Sequence, residues 1–192
     1  MDRPPNLRAA AIYGGSFDPP HEGHRQVVEA ILKTLPVSRL FVVPANLSPF
    51  KQGHGAPGSL RSAWLKRIMP DDPRVVVSDL EIARPGPSYT IETVERLGRG
   101  FDTVYLVIGA DNVSGLHRWH DFDRLDEMVE WVVATRDDVP IPEGFRRLDV
   151  VHPASSSRWR ERFEPAWIPE SIRDEVTAYY RGSEDDQKEG KA

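Results

Sequence analysis

Apolar residues fall along this chain in short unbroken runs, with stretches of helical spacing between them. Six runs stand out: LRAAAIY (7–13), RLFVVP (39–44), RVVVSDLEI (74–82), TVYLVIG (103–109), EWVVAT (130–135) and RRLDVV (146–151). Continuous apolar runs of this length suit strands covered on both faces, as in a parallel sheet. After the first run, Val27, Val28, Ile31, Leu32 and Leu35 share one helical stripe, which Pro36 ends. YTIETVERL (89–97), DFDRLDEM (121–128) and PESIRDEVTAYY (169–180) are the clearest further helices. In the last of these Pro169 suits a first helical position, and Ile172, Val176 and Tyr179 repeat at i, i+4, i+7. The alternation predicts an α/β fold: a single doubly wound, Rossmann-like domain over residues 1–182, with a mostly parallel sheet of five or six strands.

Two segments break the pattern. ANLSPFKQGHGAPGS (45–59) is too rich in Gly, Pro and Ser for a long regular element, and reads as a mobile loop over the carboxyl edge of the sheet. The charged end RGSEDDQKEGKA has almost no apolar residue, so residues 183–192 read as a disordered tail.

Composition narrows the function classes. A length of 192 residues suits one domain with a full core. The formal net charge of -5 argues against a general grip on nucleic acid, but leaves room for a local phosphate pocket. The chain has 0 cysteines, which excludes disulfides and thiolate-ligated metal and suits a reducing compartment. No stretch approaches the roughly 20 apolar residues of a membrane span, and the opening MDRPPNLR lacks the apolar core of a secretion signal. A cytoplasmic protein with no membrane partner is the expectation.

The chemistry concentrates in GGSFDPPHEGH (14–24), at the junction of the first strand and first helix. Ligands of doubly wound sheets collect outside the carboxyl ends of strands, and a helix start attracts anions. Gly14 and Gly15 would let the backbone turn at positive φ and approach a ligand closely. No Walker lysine and no GxGxxG fingerprint is present, so the donors to phosphate would be the imidazoles of His21 and His24. A plain turn with surface histidines is the bland alternative. A zinc site is another, but these histidines are three apart instead of the four of H-E-x-x-H and no third ligand is evident, so no metal ligand is assigned.

GGSFDPPHEGH resembles the GG(T/S)FDPxHxGH signature of bacterial nicotinate-nucleotide adenylyltransferases, in the HxGH nucleotidyltransferase superfamily. Further likenesses follow in the family's order. FVVPANLSPFK resembles its strand-plus-PPHK region, DLEIARPGPSYTIETVERL its ExxRxGxSYTxxTL segment, LVIGADNVSGLHRWHDF its GxDxxxxxxxW segment, and SSSRWR its closing ISSTxIR. The resemblance implies transfer of AMP from ATP to nicotinate mononucleotide, with Mg²⁺ accompanying ATP.

It also implies site residues. His21 and His24 would contact the ATP phosphates, His24 stabilising the transition state, and Arg160 would clamp phosphate oxygens. Gly14, Gly15, Ser16 and Phe17 would line the cleft where the nucleotides meet. Lys51 would reach phosphate from the 45–59 loop, Gly109 and Asp111 would lie by the adenosine with Arg136 near the adenine, and Ser155, Ser156 and Ser157 would present hydroxyls. For nicotinate mononucleotide, Ser16 would join Trp119, stacked on the pyridine ring, and the backbone N–H groups of Thr90 and His120, which would take its carboxylate. The bland readings are core packing for Trp119 and a solvated helix arginine for Arg160, both weighed below the functional ones. Phe50 replaces the usual histidine of PPHK, which weakens the assignment of Lys51; Ala154, Ser157 and Trp159 also depart from ISSTxIR. A related transferase acting on nicotinamide mononucleotide or phosphopantetheine, a non-catalytic nucleotide-binding protein and a histidine-metal hydrolase stay open, as does a homo-oligomer.

Overall fold

A computed structural model describes residues 8–46, 55–135, 140–150 and 152–189, the stretch 183–189 by its backbone alone. Six strands, β1 (Ala9–Gly15), β2 (Arg39–Pro44), β3 (Val75–Val77), β4 (Thr103–Gly109), β5 (Glu130–Thr135) and β6 (Arg146–Asp149), form one sheet in the order β3-β2-β1-β4-β5-β6. All five pairings are parallel. Each predicted run supplies a strand. The third shortens to Val75–Val77 at the sheet edge, where the next residues turn to hydrogen bonding: Asp79 accepts from the Ser62 hydroxyl and from Lys66 Nζ.

Alternation on the strands divides the core in two. Ala9, Ala11, Tyr13, Leu40, Val42 and Val107 pack under helix α1 (Glu22–Thr34) through Val27, Val28 and Ile31. Ile12, Val43, Val104, Leu106 and Ile108 pack against Ile91 and Val94 of α3 (Thr90–Leu97) and Leu125 of α4 (Phe122–Met128). A third cluster joins α2 (Gly58–Ile68), α5 (Ser156–Arg162) and α6 (Glu170–Glu189) through Trp64, Trp159, Ile172, Val176 and Tyr180. Helix α2 begins inside the segment expected to be a loop. Helix α6 carries on to Glu189, into the charged stretch where a disordered tail is expected. Among the described residues no helix is long and apolar enough to cross a membrane.

The strand order reverses direction between β1 and β4, and there the two strands part. β1 stays paired with β2 as far as Gly15↔Pro44, but its pairing with β4 stops at Tyr13↔Val107. Gly14 and Gly15 on one side and Ile108 and Gly109 on the other therefore flank a crevice at the carboxyl edge, the place where such sheets bind ligands.

Candidate active site

The turn leaving β1 is built differently from the expectation. Gly14 and Gly15 are not among the residues with positive φ; Phe17 is, at φ 47°. Phe17 tolerates this because its ring is locked in the core, 1% exposed, edge-on to Tyr13 at 5.4 Å and to His24 at 4.8 Å. The two glycines differ in their surroundings. A Cβ on Gly14 would meet nothing within 4 Å, so the space above it is open, and one on Gly15 would lie 3.0 Å from the Phe17 ring.

His21 caps α1 and is buried, while His24, three residues on, is half-buried. The two imidazoles stack with centroids 3.6 Å apart and 19° between planes. His24 Nδ1 accepts the His21 backbone N–H at 3.1 Å. That bond needs a lone pair on Nδ1, so neutral His24 carries its proton on Nε2 and presents a donor there. Gly23 makes the stack possible, since a Cβ there would sit 3.1 Å from two atoms of the His21 ring.

Later segments converge on this turn. Ser156 Oγ donates to the Pro19 carbonyl at 3.0 Å, and Arg160 Nη1 donates to the Asp18 carbonyl and lies 3.5 Å from Asp18 Oδ2. Ser155 is spent as the cap of α5, its Oγ accepting the Arg158 N–H at 3.3 Å, with Ser157 Oγ 3.5 Å away. Beneath the turn Arg61, 1% exposed, donates from Nη1 to Ser16 O at 2.5 Å, from Nη2 to Ala45 O at 2.7 Å and from Nε to Ala56 O at 2.9 Å. Burial would raise the Asp18 carboxyl, yet donation from Tyr180, Gly55 and Ala56 and the charge of Arg160 outweigh it and hold it below the usual range.

A second group gathers where α3 starts, also on the carboxyl edge. Thr90 is the first residue of α3; the ring of Tyr89, its cap, lies 4.4 Å from that of His120. Trp119 is half-buried and meets Trp131 edge-on at 6.1 Å, with Phe145 stacked behind Trp131 at 5.5 Å. So Trp119 is neither a sealed core residue nor free on the surface. Gly109 ends β4, and a Cβ on it would lie 2.5 Å from Oδ1 of Asp111, which also accepts from Asn112 Nδ2 at 3.3 Å. Lys51 and Arg136 lie outside the described residues. No group of three or more His, Cys, Asp or Glu that could hold a metal occurs among the described residues.

With this geometry in place, similarity to known proteins decides the family. Residues 12–162 match the cytidylyltransferase-like family. The chain belongs to that family. Within it, the chain is 42% identical over 171 residues to a protein of Sulfurimonas denitrificans described as a probable nicotinate-nucleotide adenylyltransferase, a match covering 89% of this chain and 94% of the relative. A Campylobacter jejuni protein of the same description is 40% identical, covering 88% and 95%. In three dimensions the chain resembles the Plasmodium falciparum nicotinic acid mononucleotide adenylyltransferase complexed with NaAD, with TM-score 0.72 at 21% identity over 91% of this chain and 98% of the other, a likeness of fold.

Within the family framework, several buried polar residues went unassigned by sequence reasoning, among them Asp18, Arg61, Glu81 and Tyr180. Glu81 opens the segment ending in SYT, and the Thr93 hydroxyl of α3 donates to its Oε1 at 2.6 Å. Asn46 holds the same segment, donating to Arg84 O at 2.9 Å. Burial pushes the Glu81 carboxyl up, more than the Thr93 hydroxyl and the Arg84 charge pull it down. A carboxyl raised above its ordinary 4.5 on folding contributes stability that is complete below that pH and is lost as pH rises through the folded value. Glu81→Gln is therefore expected to gain stability relative to wild type as pH climbs from about 4.5 towards neutrality. Urea midpoints of both proteins across this range check it, and a difference that does not vary with pH rules it out.

Proposed function

We propose that this chain transfers AMP from ATP to nicotinate mononucleotide, releasing pyrophosphate and forming nicotinate adenine dinucleotide, a step of NAD biosynthesis. The observation that carries the reading is the stacked His21–His24 pair at the start of α1, set at the crevice between β1 and β4 in a chain 42% identical to a described nicotinate-nucleotide adenylyltransferase. Such chemistry on small nucleotides suits the cytoplasm.

An oxygen of the acceptor phosphate attacks the ATP α-phosphorus in line, and the bond from that phosphorus to the bridging oxygen breaks. The electron pair leaves with pyrophosphate. A phosphate monoester has its second pKa at about 6, so the nucleophile is already ionised near neutrality and no side chain need abstract a proton. What the site must supply is alignment and donors toward charge that grows on the α-phosphate and leaving group. His24 suits that role through Nε2, with its ring fixed by the bond at Nδ1; His21 stacks beside it, and Arg160 reaches the same turn. Gly14, Gly15, Ser16 and Phe17 offer the backbone floor, Gly109 and Asp111 the adenosine side, with Ser155 to Ser157 at the edge. Mg²⁺ would enter with the ATP substrate and would supply positive charge to its phosphates.

For the acceptor, Trp119 offers an aromatic face backed by Trp131, while the N–H groups of Thr90 and His120 offer paired donors to a carboxylate. A carboxamide would turn an N–H₂ toward one of those donors. The deciding experiment compares kcat/KM for nicotinate mononucleotide, nicotinamide mononucleotide and phosphopantetheine with MgATP. The acid is expected to be preferred. A higher value for either rival removes the acceptor assignment, and absence of pyrophosphate release with all three leaves a nucleotide-binding protein without this activity.

A further inference from the structure

Asp18 stands in the middle of the opening motif but faces inward, 6% exposed. Its carboxylate gathers donors from three distant parts of the chain. The Gly55 N–H reaches Oδ2 at 2.8 Å, the Ala56 N–H reaches Oδ1 at 3.0 Å, and the Tyr180 hydroxyl donates to Oδ1 at 2.5 Å. Arg160 adds the fourth contact, 3.5 Å from Oδ2, while it also donates to the Asp18 carbonyl. The Ala56 peptide is held from both sides, its N–H by Asp18 and its carbonyl by Arg61 at 2.9 Å. Since Arg61 also binds Ser16 O, one buried polar joint connects the floor of the crevice, Arg160, and residues 55–56 ahead of α2.

Tyr180 is the joint's far support. It belongs to α6, is 4% exposed, and its ring is wedged beside Trp64 at 6.1 Å and Trp159 at 5.6 Å. The fit continues onto Gly55, where a Cβ would lie 2.8 Å from Tyr180 Cε1. No residue of α6 is assigned a role in the adenylyl transfer proposed above. Yet the Tyr180 hydroxyl, midway along it, meets a carboxylate that also contacts the Arg160 guanidinium at the phosphate turn.

We propose that Tyr180 is a positioning residue of the phosphate half of the site, acting through Asp18 on Arg160 and on Gly55–Ala56. The proposal rests on the adenylyltransferase reading and adds a residue to it. Without the hydroxyl, Asp18 Oδ1 keeps one donor in place of two, and the carboxylate shifts toward its remaining partners, carrying Arg160 with it. Reacting groups tolerate displacements of only about 0.5 Å before rates fall. The acceptor half, with Thr90, Trp119 and His120, shares none of these hydrogen bonds.

The test is steady-state kinetics of the full chain with MgATP and nicotinate mononucleotide, wild type beside Tyr180→Phe. The ring and its packing are kept, so the expected result is a kcat lowered about tenfold, with KM for nicotinate mononucleotide within about twofold of wild type. Gly55→Ala removes no polar group but presses on the same ring, and is expected to give the same split; it carries the test if Tyr180→Phe does not fold. Amide exchange at Gly55 and Ala56 is expected to quicken in both variants. A folded Tyr180→Phe or Gly55→Ala protein with wild-type kcat overturns the proposal, as does a loss spread equally over kcat and acceptor KM. A wild-type chain with no activity refutes the function itself, and this proposal with it.

Discussion

His24→Ala is expected to lower kcat by about 100- to 1,000-fold while leaving the chain folded. The size follows from what the ring does. A donor fixed in advance toward developing charge contributes roughly 3–4 kcal/mol to the transition state, because no reorganisation is needed at the moment of reaction. His24 is fixed by the bond from the His21 N–H to Nδ1 and by the stack on the His21 ring. The alanine variant also removes that helix-start bond, a loss of about 1 kcal/mol in stability, so rate and fold need separating. His24→Asn does this. Its Oδ1 occupies the place of Nδ1 and can accept the His21 N–H, but nothing replaces Nε2. The asparagine variant is therefore expected to recover most of the melting temperature and none of the rate. Pyrophosphate release and thermal unfolding measure the two, and an asparagine variant with near wild-type kcat would sink the role given to Nε2.

The same contrast between local and distant partners explains what could be read along the chain. The four inner strands were legible because β1, β2, β4 and β5 are mainly buried on both faces, which makes an apolar run its own signal, and each falls within a residue or two of the run that predicts it. The histidine pair was legible because its partners lie three residues apart. Helix α2 was not, since Gly58 and Ser59 continue a turn-like segment and a charge sits in its apolar stripe. That charge is informative in hindsight. Arg61, Trp64, Leu65 and Ile68 follow i, i+3, i+4, i+7, so the helix period turns Arg61 inward with the three apolar residues. The partners themselves stayed hidden: Ser16 is 45 residues from Arg61, and Asp18 is 162 from Tyr180. No spacing rule reaches that far. The expectation of positive φ at the glycines failed for a related reason, because the strained conformation went to Phe17, whose ring is held by contacts made only in the folded core.

Arg61 is where this buried layer is most exposed to experiment. Arg61→Met keeps an unbranched apolar stem but stops short of the guanidinium, and so removes three donors at once, from the carbonyls of Ser16, Ala45 and Ala56. It also removes the positive charge near the Asp18 carboxylate. Burial lowers the Arg61 pKa and the nearby Asp18 raises it back in part, but an arginine starts so high that the group stays charged under ordinary conditions. Removing one charge from such a buried set usually costs about 3–5 kcal/mol, since the groups left behind are cut off from water. For a chain of this size that is a fall of about 10 °C in melting temperature. Activity is expected to fall further than stability accounts for, because Ser16 O belongs to the floor of the crevice and loses the anchor that sets its height. Arg61→Lys distinguishes charge from geometry. The ammonium restores the charge but cannot span three carbonyls in one plane, so it is expected to recover part of the melting temperature and little of the rate at temperatures where both variants are folded. A melting temperature within about 2 °C of wild type for Arg61→Met would show that the three carbonyls find other partners, and that the turn keeps its shape without the guanidinium.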